Sequence, residues 1–288
     1  MKLSVAIPDS AVSDCSDIRS KTEKIFQIAR IAAIFQIKEI LIYHDPFLKP
    51  IRADRERRII KRILQYLECP QYLRKRFFPL SRDTAAVGAL SPLATPHHIR
   101  SKDLKPNEIR EAAIFLNQGR VLADVGGTQL LEVINSPNIP LKNRTIRATT
   151  RIKKTNKGFK AIILPSPPTD KYWGYSVHSS STTLSKLLDN RSELKIATSR
   201  SCQPIVNFSI GNIKSKNLLI AFGGPYKGIP DMIKSEGKKI SDVFDACYNI
   251  MRNYGTRSLR LEEALMITLS KLEDQRKESN FIFKEAYD

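Results

Sequence analysis

The chain has 288 residues, of which 41% are hydrophobic, so it can bury a sizeable core and is longer than one average domain needs. No run of about 18 apolar residues occurs, and the first residues lack the apolar core and cleavage site of a signal peptide, so neither a membrane span nor a secretory leader is expected. The 48 Lys and Arg against 29 Asp and Glu give a formal charge of +19, which disfavours a small-molecule enzyme and favours a polyanionic partner.

The cysteines and histidines form no recognisable metal or disulfide pattern. The four cysteines are scattered, and no two of them form a Cys-x-x-Cys pair. The adjacent histidines His97 and His98 have no further ligand residue nearby in the sequence. We therefore predict neither a zinc site nor a disulfide framework, and we expect the protein to lie in the reducing cytoplasm.

The first part of the chain has the pattern of a βαβ unit. Residues 2–8 and 39–44 are apolar runs typical of buried strands. Between them, Ser20 and Glu23 have the spacing of a capping box, and the residues from Ile25 to Ala33 place apolar side chains on one helical face. This order predicts a parallel sheet with helices on its faces.

The middle of the chain differs in character. Residues 52–77 are charged and mostly helical, with a break at Pro70, and helical periodicity then fades. Four short alternating segments follow between turn residues, at the spacing of a small antiparallel barrel or sandwich. We therefore predict an α/β domain in two parts, 1–88 and 175–288, around a β-rich insert at 89–174.

The positive charge is clustered in this insert. The run from Leu141 to Lys160 contains eight basic residues and no acidic one. A nucleic acid is the favoured partner of such a run, and the alternative is a merely basic, solvated surface. Because Phe159 is the one aromatic residue of the run, we expect phosphate contacts to outweigh base stacking. The candidate RNA-binding residues are Arg144, Arg147, Arg151, Lys153, Lys154, Lys157 and Lys160.

Helix and strand patterns alternate again in the last part of the chain. Strands are predicted at 194–198 and 218–222, and helices at 182–190, 241–253 and 258–276. Loops at 197–201 and 221–228 follow the two strands, and a third loop at 251–264 joins the last two helices. Because the carboxyl ends of parallel strands meet at one edge of a sheet, we expect these loops to lie close together.

The chemistry of these loops favours an uncharged ring and ribose over a triphosphate. The two loops that follow the strands offer glycine backbone and small side chains, with little charge besides Arg200 and Lys227. Neither the P-loop pattern nor the dinucleotide-binding glycine pattern occurs in the chain. The alternative for Gly223 and Gly224 is a tight turn without a ligand.

Several stretches resemble one known family. AFGGPYKG (221–228) and GTRSLRLEEAL (255–265) are the most specific, and IARIAAIFQIKEILIY (28–43), PLATPHH (92–98) and YWGYSV (172–177) also match. The chain resembles the SPOUT (α/β-knot) RNA methyltransferases, and within them the archaeal and eukaryotic branch with an OB-type insert, described as RNA uridine-N3 methyltransferases. The resemblance covers nearly the whole chain.

The resemblance implies an α/β fold whose parallel sheet has a C-terminal trefoil knot and is interrupted by an OB-like barrel. It implies S-adenosylmethionine as the cofactor, bound in the knot, and an RNA substrate, with rRNA favoured. By position, it assigns cofactor contacts to Thr198, Ser199, Arg200, Gly223, Gly224, Pro225, Gly228, Asn249, Gly255, Arg257, Ser258 and Leu259.

Two arginines are candidates for catalytic contacts. Methyl transfer to a uridine N3 requires loss of the N3 proton, and a cation near the base oxygens would stabilise the anion that develops. Arg30 occupies the place of a first-helix arginine in a related branch, and Arg200 lies in the first loop. The alternatives are a surface position for Arg30 and an ion pair with a carboxylate such as Glu262 for Arg200.

The family resemblance also implies a homodimer, whereas the expectation of no metal and no membrane partner comes from the residues themselves. The helices that contain Ile25–Phe35 and Leu261–Leu269 carry apolar stripes wider than one core face needs, and a two-fold interface would cover them. The alternative is that both are ordinary buried helices of one subunit. For the function itself, the alternative is a non-catalytic RNA-binding ribosome-assembly protein that retains the fold.

Overall fold

The computed structural model describes residues 2–79, 81–135, 144–204 and 217–278. Two compact units divide the chain. We call the first the sheet unit; it comprises Met1–Gln65, Ala86–Leu90 and Tyr175–Asp288. The second, the barrel unit, comprises Tyr66–Ala85 and Ser91–Gly174.

A six-stranded sheet forms the centre of the sheet unit, and every pairing in it is parallel. The strands are β1 (Leu3–Pro8), β2 (Glu39–His44), β8 (Ser176–Thr183), β9 (Leu194–Pro204), β10 (Leu218–Ala221) and β11 (Ala246–Asn249). Their order in the sheet is β11-β9-β10-β1-β2-β8. Of the four inner strands, β1, β2 and β10 are buried along almost their whole length, as is typical of parallel sheets with helices on both faces.

Four of the five helices of the sheet unit overlap predicted helical segments, the first of them with a different start, and the helix at Ile229–Ser235 was not predicted. Asp17 caps the first helix, since its side chain accepts hydrogen bonds from the backbone N–H groups of Arg19 and Ser20 at 2.8 and 3.0 Å. Ser20 is therefore inside the helix, and the predicted capping box is wrong. The helices are α1 (Ile18–Ile34), α2 (Pro50–Glu68), α4 (Leu184–Leu188), α5 (Ile229–Ser235) and α6 (Leu261–Glu278). Within the described residues, no helix combines the length and apolarity needed to cross a membrane.

The predicted helix at 241–253 is wrong, because this segment pairs with the sheet edge. The backbone N–H of Asp245 donates to the carbonyl oxygen of Lys195 at 2.9 Å, and the Asp245 side chain accepts from the Lys195 N–H at 2.7 Å. These contacts align β11 beside β9, so tertiary pairing overrides the local helical pattern. The loop that follows therefore joins a strand to α6.

The barrel unit contains a five-stranded antiparallel sheet in the order β5 (Leu131–Glu132), β4 (Arg120–Asp124), β3 (Ile109–Asn117), β6 (Ile146–Thr155) and β7 (Gly158–Ile163). A parallel bridge between Val133 and Ala161 nearly closes it into a barrel around an apolar interior. β3 was not predicted, because IREAAIFLN lacks strict alternation. Helix α3 (Gln71–Phe77) precedes these strands in the chain.

Candidate active site

A cavity of about 720 Å³ lies in the sheet unit where three loops meet. The first loop interrupts β9, the second follows β10 and the third follows β11. Its volume falls in the range of pockets that hold cofactors and other small ligands, roughly 300 to 1,000 Å³. The edge of the sheet at which it opens is the one where ligands bind in open α/β proteins.

The first loop is an interruption in the pairing of β9 with β11. The adjacent residues Cys247 and Tyr248 of β11 lie opposite Ala197 and Gln203 of β9, so residues 198–202 leave the ladder. A disulfide joins the last residue of this excursion to Cys247, with the Cα atoms 5.6 Å apart. This disulfide was not predicted from the sequence, because two cysteines 45 residues apart become neighbours only through strand pairing.

Hydrogen bonds join the first loop to the other two. The Thr198 hydroxyl donates to the carbonyl oxygen of Ala221 at 2.9 Å. A guanidinium nitrogen of Arg200 donates to the carbonyl oxygen of Arg257 at 3.2 Å, and the side-chain amide of Asn249 donates to the carbonyl oxygen of Arg200 at 3.1 Å. The three loops thus form one connected wall.

The second loop needs glycine for close packing. A Cβ at Gly224 would lie 2.6 Å from the Ser10 hydroxyl oxygen and 3.0 Å from an Asp45 carboxylate oxygen, and these two side chains are hydrogen-bonded at 2.5 Å. A Cβ at Gly223 would lie 3.0 Å from the backbone of Gly228. Neither glycine has a positive φ, so their role here is space rather than conformational freedom.

Gly228 differs from the other two, because its Cβ position is open. Its nearest neighbours would be Pro230 at 3.5 Å and the Ser199 hydroxyl at 4.0 Å, which are ordinary contact distances. Gly228, Pro230 and Ser199 all line the cavity. The space beside Gly228 is therefore open to the cavity and is not filled by neighbouring side chains.

The structure brings most of the predicted cofactor residues to this cavity. Gly255 and Arg30 are not among the lining residues, and Arg30 is half-buried in α1. The predicted residues that line the cavity are Thr198, Ser199, Arg200, Gly223, Gly224, Pro225, Gly228, Asn249, Arg257, Ser258 and Leu259.

An ion pair that the sequence analysis missed also lines the cavity. The ammonium group of Lys24, on α1, lies 2.8 and 2.7 Å from the two carboxylate oxygens of Asp14. The Lys24 side chain is only 6% exposed, and Glu262 Oε2 lies 3.6 Å from its ammonium. The sequence signal that could have revealed this lysine is its spacing. Lys24 lies four and seven residues before Ile28 and Ile31, which places it on the same buried edge of α1.

In the barrel unit, the basic run forms β6, its turn and β7. Lys153 lies directly opposite Lys160, and Lys160 is paired with Glu132 at 2.8 Å. Like charges directly opposite each other in a sheet are destabilising, and the carboxylate of Glu132 offsets this repulsion at Lys160. Lys142, the remaining basic residue of the run, lies outside the described residues. The exposed predicted RNA-binding residues are Arg144, Arg151, Lys153, Lys154 and Lys157.

Arg147 has a different environment from the other basic residues. Its guanidinium donates to Glu68 at 2.5 and 3.0 Å and to Glu111 at 2.6 Å. Burial opposes ionisation of Glu68, but hydrogen bonds and charge from His97 and Arg147 outweigh it and lower the pKa of Glu68 to about 2. Arg147 therefore serves an internal ion-pair network instead of an open surface.

The two adjacent histidines belong to the same network. Ring nitrogens of His97 and His98 lie 3.0 and 2.7 Å from the carbonyl oxygen of Glu68. Burial, with a contribution from the neighbouring His97, lowers the pKa of His98 to about 4. Across the described residues, no group of three or more His, Cys, Asp or Glu side chains is arranged to hold a metal ion.

Comparison with known proteins gives a family match over residues 2–272, to the model described as "Putative RNA methyltransferase". The chain is 30% identical to the 28S rRNA (uridine-N(3))-methyltransferase of Drosophila melanogaster over 95% of this chain, and it spans 62% of that protein's length. It is also 30% identical to the Homo sapiens protein of the same name, over 94% of this chain and 77% of that protein.

A further relative matches over almost the whole of both chains. An uncharacterized protein of Halobacterium salinarum is 27% identical over 94% of this chain and 99% of its own length. The family match takes in the β1 and α1 segment, the barrel unit and all three cavity loops. The chain therefore belongs to this family of RNA methyltransferases.

Proposed function

We propose that the protein is an S-adenosylmethionine-dependent methyltransferase that modifies a base of rRNA at uridine N3. The observation that carries the proposal is the meeting of three loops, two of them glycine-containing, around one cavity of about 720 Å³. The names of the fruit-fly and human relatives support rRNA and uridine N3 as substrate and position. A C-terminal trefoil knot of the SPOUT type is part of the proposal, and the resemblance of residues 221–228 and 255–265 to the loops of that fold supports it.

The cavity fits such a cofactor in chemistry as well as size. The open Cβ position of Gly228 leaves space beside the Ser199 hydroxyl, and glycine backbone can approach a flat adenine ring closely. The Thr198 hydroxyl is already bonded to the backbone, so its role is to hold the loop. When bound, S-adenosylmethionine supplies an electrophilic methyl group on its sulfonium.

The residues of the chain would position the base and manage its proton. Arg200 is exposed, and its hydrogen bond to the third loop holds the guanidinium at the cavity wall. From there it can stabilise negative charge on the uracil oxygens as the N3 proton leaves. Arg30 is a second candidate, although it does not line the cavity of its own chain.

The barrel unit is proposed to hold the RNA as an OB-like module. Its exposed cations lie on β6 or directly beside it, so they would track a phosphate backbone. The target uridine must leave its stack to reach the cavity, as bases do in other base-modifying enzymes. An rRNA substrate also supports the cytoplasm as the proposed location.

A homodimer through the sheet unit completes the proposal. α1 and α6 pack against each other and still leave Ile34 and Met266 exposed, at 52% and 39%. A two-fold interface over these side chains would remove them from water and close one side of the cavity.

Calorimetric titration with S-adenosylmethionine separates an enzyme from a non-catalytic assembly protein. The proposal predicts saturable binding at one site per chain. The variant Gly228→Val would fill the space beside Ser199 and should lose this binding while its unfolding midpoint stays close to that of the wild type. Absence of binding by the folded wild type would favour the assembly protein.

A further inference from the structure

We infer that the Asp14–Lys24 ion pair is a subsite for the amino-acid end of the cofactor. This inference rests on the proposed function, since it assigns a role within the same cavity. The methionine end of S-adenosylmethionine is a zwitterion, with an α-ammonium and an α-carboxylate on one carbon. An ion pair on the protein presents the complementary arrangement, an acceptor beside a donor.

Lys24 lies at a buried position, where the charged side chain of a lysine is energetically unfavourable. It lies on the buried side of α1, in line with Ile28 and Ile31, and its side chain is 6% exposed. Burying an ammonium group is unfavourable unless it is paired and hydrogen-bonded. Lys24 is nevertheless among the residues that line the cavity, so it borders the space that a ligand would occupy.

The charges around Lys24 leave one negative charge uncompensated. Asp14 chelates the ammonium with both oxygens, and Glu262 lies on the other side at 3.6 Å. Glu262 is 7% exposed, and its Oε2 atom has no hydrogen-bond partner in the described structure. Two carboxylates thus share one ammonium, which leaves one negative charge in excess. An incoming α-ammonium would balance this excess negative charge while Lys24 binds the α-carboxylate.

Other charged residues also line the cavity, but they are arranged differently. Arg200 and Arg257 are joined through a guanidinium-to-carbonyl hydrogen bond, and Lys227 lies over the Phe47 ring at 5.6 Å. Among the cavity-lining residues of the described structure, Asp14 and Lys24 are the only two that form an ion pair with each other. Within that described lining, this pair alone offers both charges that a zwitterion requires.

The test compares two ligands that differ in the amino-acid end. S-adenosylhomocysteine and 5′-methylthioadenosine are both uncharged at sulfur, and only the first has the zwitterion. Calorimetry on the full chain should show that the wild type prefers S-adenosylhomocysteine at least ten-fold. Lys24→Met should bring this preference to about three-fold or less and leave the affinity for 5′-methylthioadenosine unchanged.

The matched control is Lys21→Met, the same substitution on the same helix. Lys21 pairs with Glu56 and does not line the cavity, so this variant should keep the wild-type preference. If Lys24→Met does not fold, Asp14→Asn takes its place, because the Asp14 side chain is 29% exposed and the amide keeps its shape. That variant should lose the preference as well.

The outcomes separate this inference from the proposed function. A wild type that binds neither ligand nor S-adenosylmethionine would contradict the cofactor site itself. Equal affinity for the two ligands in the wild type would overturn the subsite and leave the cofactor site intact. An unchanged preference in Lys24→Met, or in Asp14→Asn where it replaces that variant, would also overturn it and would indicate that Arg200 or Arg257 binds the carboxylate.

Discussion

Cys202 and Cys247 are joined by a disulfide at the point where the pairing of β9 with β11 skips residues 198–202. The bond closes the base of the excursion that forms the first wall of the cavity. A cross-link between residues 45 apart restricts the unfolded chain, and it also holds the loop between two strands.

Removal of this disulfide should therefore lower both stability and cofactor affinity. Cys202→Ser should lose about 3 kcal/mol in the free energy of unfolding. A reducing agent should have the same effect on the wild type and none on the variant. Cys15→Ser, which removes a free cysteine, is the control and should behave as the wild type. Equal unfolding midpoints for oxidised and reduced wild type would contradict the prediction.

Substitutions of the second-loop glycines should distinguish a glycine needed for close packing from one that leaves space in the cavity. Gly224→Ala would place a methyl group against Ser10 and Asp45, and overpacking of this kind costs about 1 to 3 kcal/mol. Gly224→Val, with a larger side chain at the same position, should be destabilised further. Gly228→Ala meets only ordinary contacts and should be nearly neutral in denaturant unfolding. A Gly224→Ala protein as stable as Gly228→Ala would show that this packing is loose.

The barrel unit should lose stability on acidification. His98 titrates near pH 6.5 when unfolded and at about 4 when folded, so the unfolded state binds more protons in this interval. Stability from this group is complete above pH 6.5 and is lost as the pH falls to 4, by about 3 kcal/mol at most. Glu68, with a folded pKa of about 2, extends the loss below pH 4.5.

Trp173 provides the measurement, because it is the single tryptophan of the chain and donates to Glu111 within the barrel unit. Denaturant unfolding followed by its fluorescence should show the decrease between pH 6.5 and 4. His98→Gln should flatten this pH dependence, whereas the exposed His178→Gln should not. A parallel pH dependence in wild type and His98→Gln would contradict the assignment.

RNA binding should depend on salt through the exposed cations of β6. Replacement of Arg151, Lys153 and Lys154 by Gln should reduce the slope of log affinity against log salt by about 0.7 to 0.9 for each phosphate that these side chains neutralise in the wild type. A matched triple replacement at Lys234, Lys238 and Lys239, which are exposed in the sheet unit, should leave the slope unchanged. If the two triple variants had equal slopes, the phosphate-binding surface would have to lie elsewhere.

Self-association should depend on the exposed apolar residues of α1 and α6. Ile34→Asp and Met266→Asp should shift light-scattering mass from dimer toward monomer at micromolar concentration. Ile51→Asp, at an 88% exposed position of α2, should not. A wild type that is monomeric at all concentrations would remove the dimer from the proposal.

The sequence predicted the parts of the fold that depend on local patterns. The strands at β1, β2 and β10, the break at Pro70 and the final helix follow from apolar runs and breakers. The segment at 241–253 was misassigned because its helical period is local, while its strand pairing with Lys195 is not. The start of α1 was misplaced because two capping patterns compete, and Asp17 precedes Ser20.

The site was predictable to a similar extent and for a similar reason. The loop residues were found because glycines after apolar strands form a local pattern. The Asp14–Lys24 pair, the Cys202–Cys247 disulfide and the internal position of Arg147 all depend on which elements pack together. No spacing rule in one sequence contains that information.

The most direct test of the account is methyl transfer itself. The protein is incubated with methyl-labelled S-adenosylmethionine and unmodified rRNA, and the RNA is digested to nucleosides for mass spectrometry. The account predicts one labelled nucleoside, uridine methylated at N3, and none with the Gly228→Val protein. Wild-type protein that binds the cofactor and the RNA but transfers no label, or that labels a different atom, would contradict it.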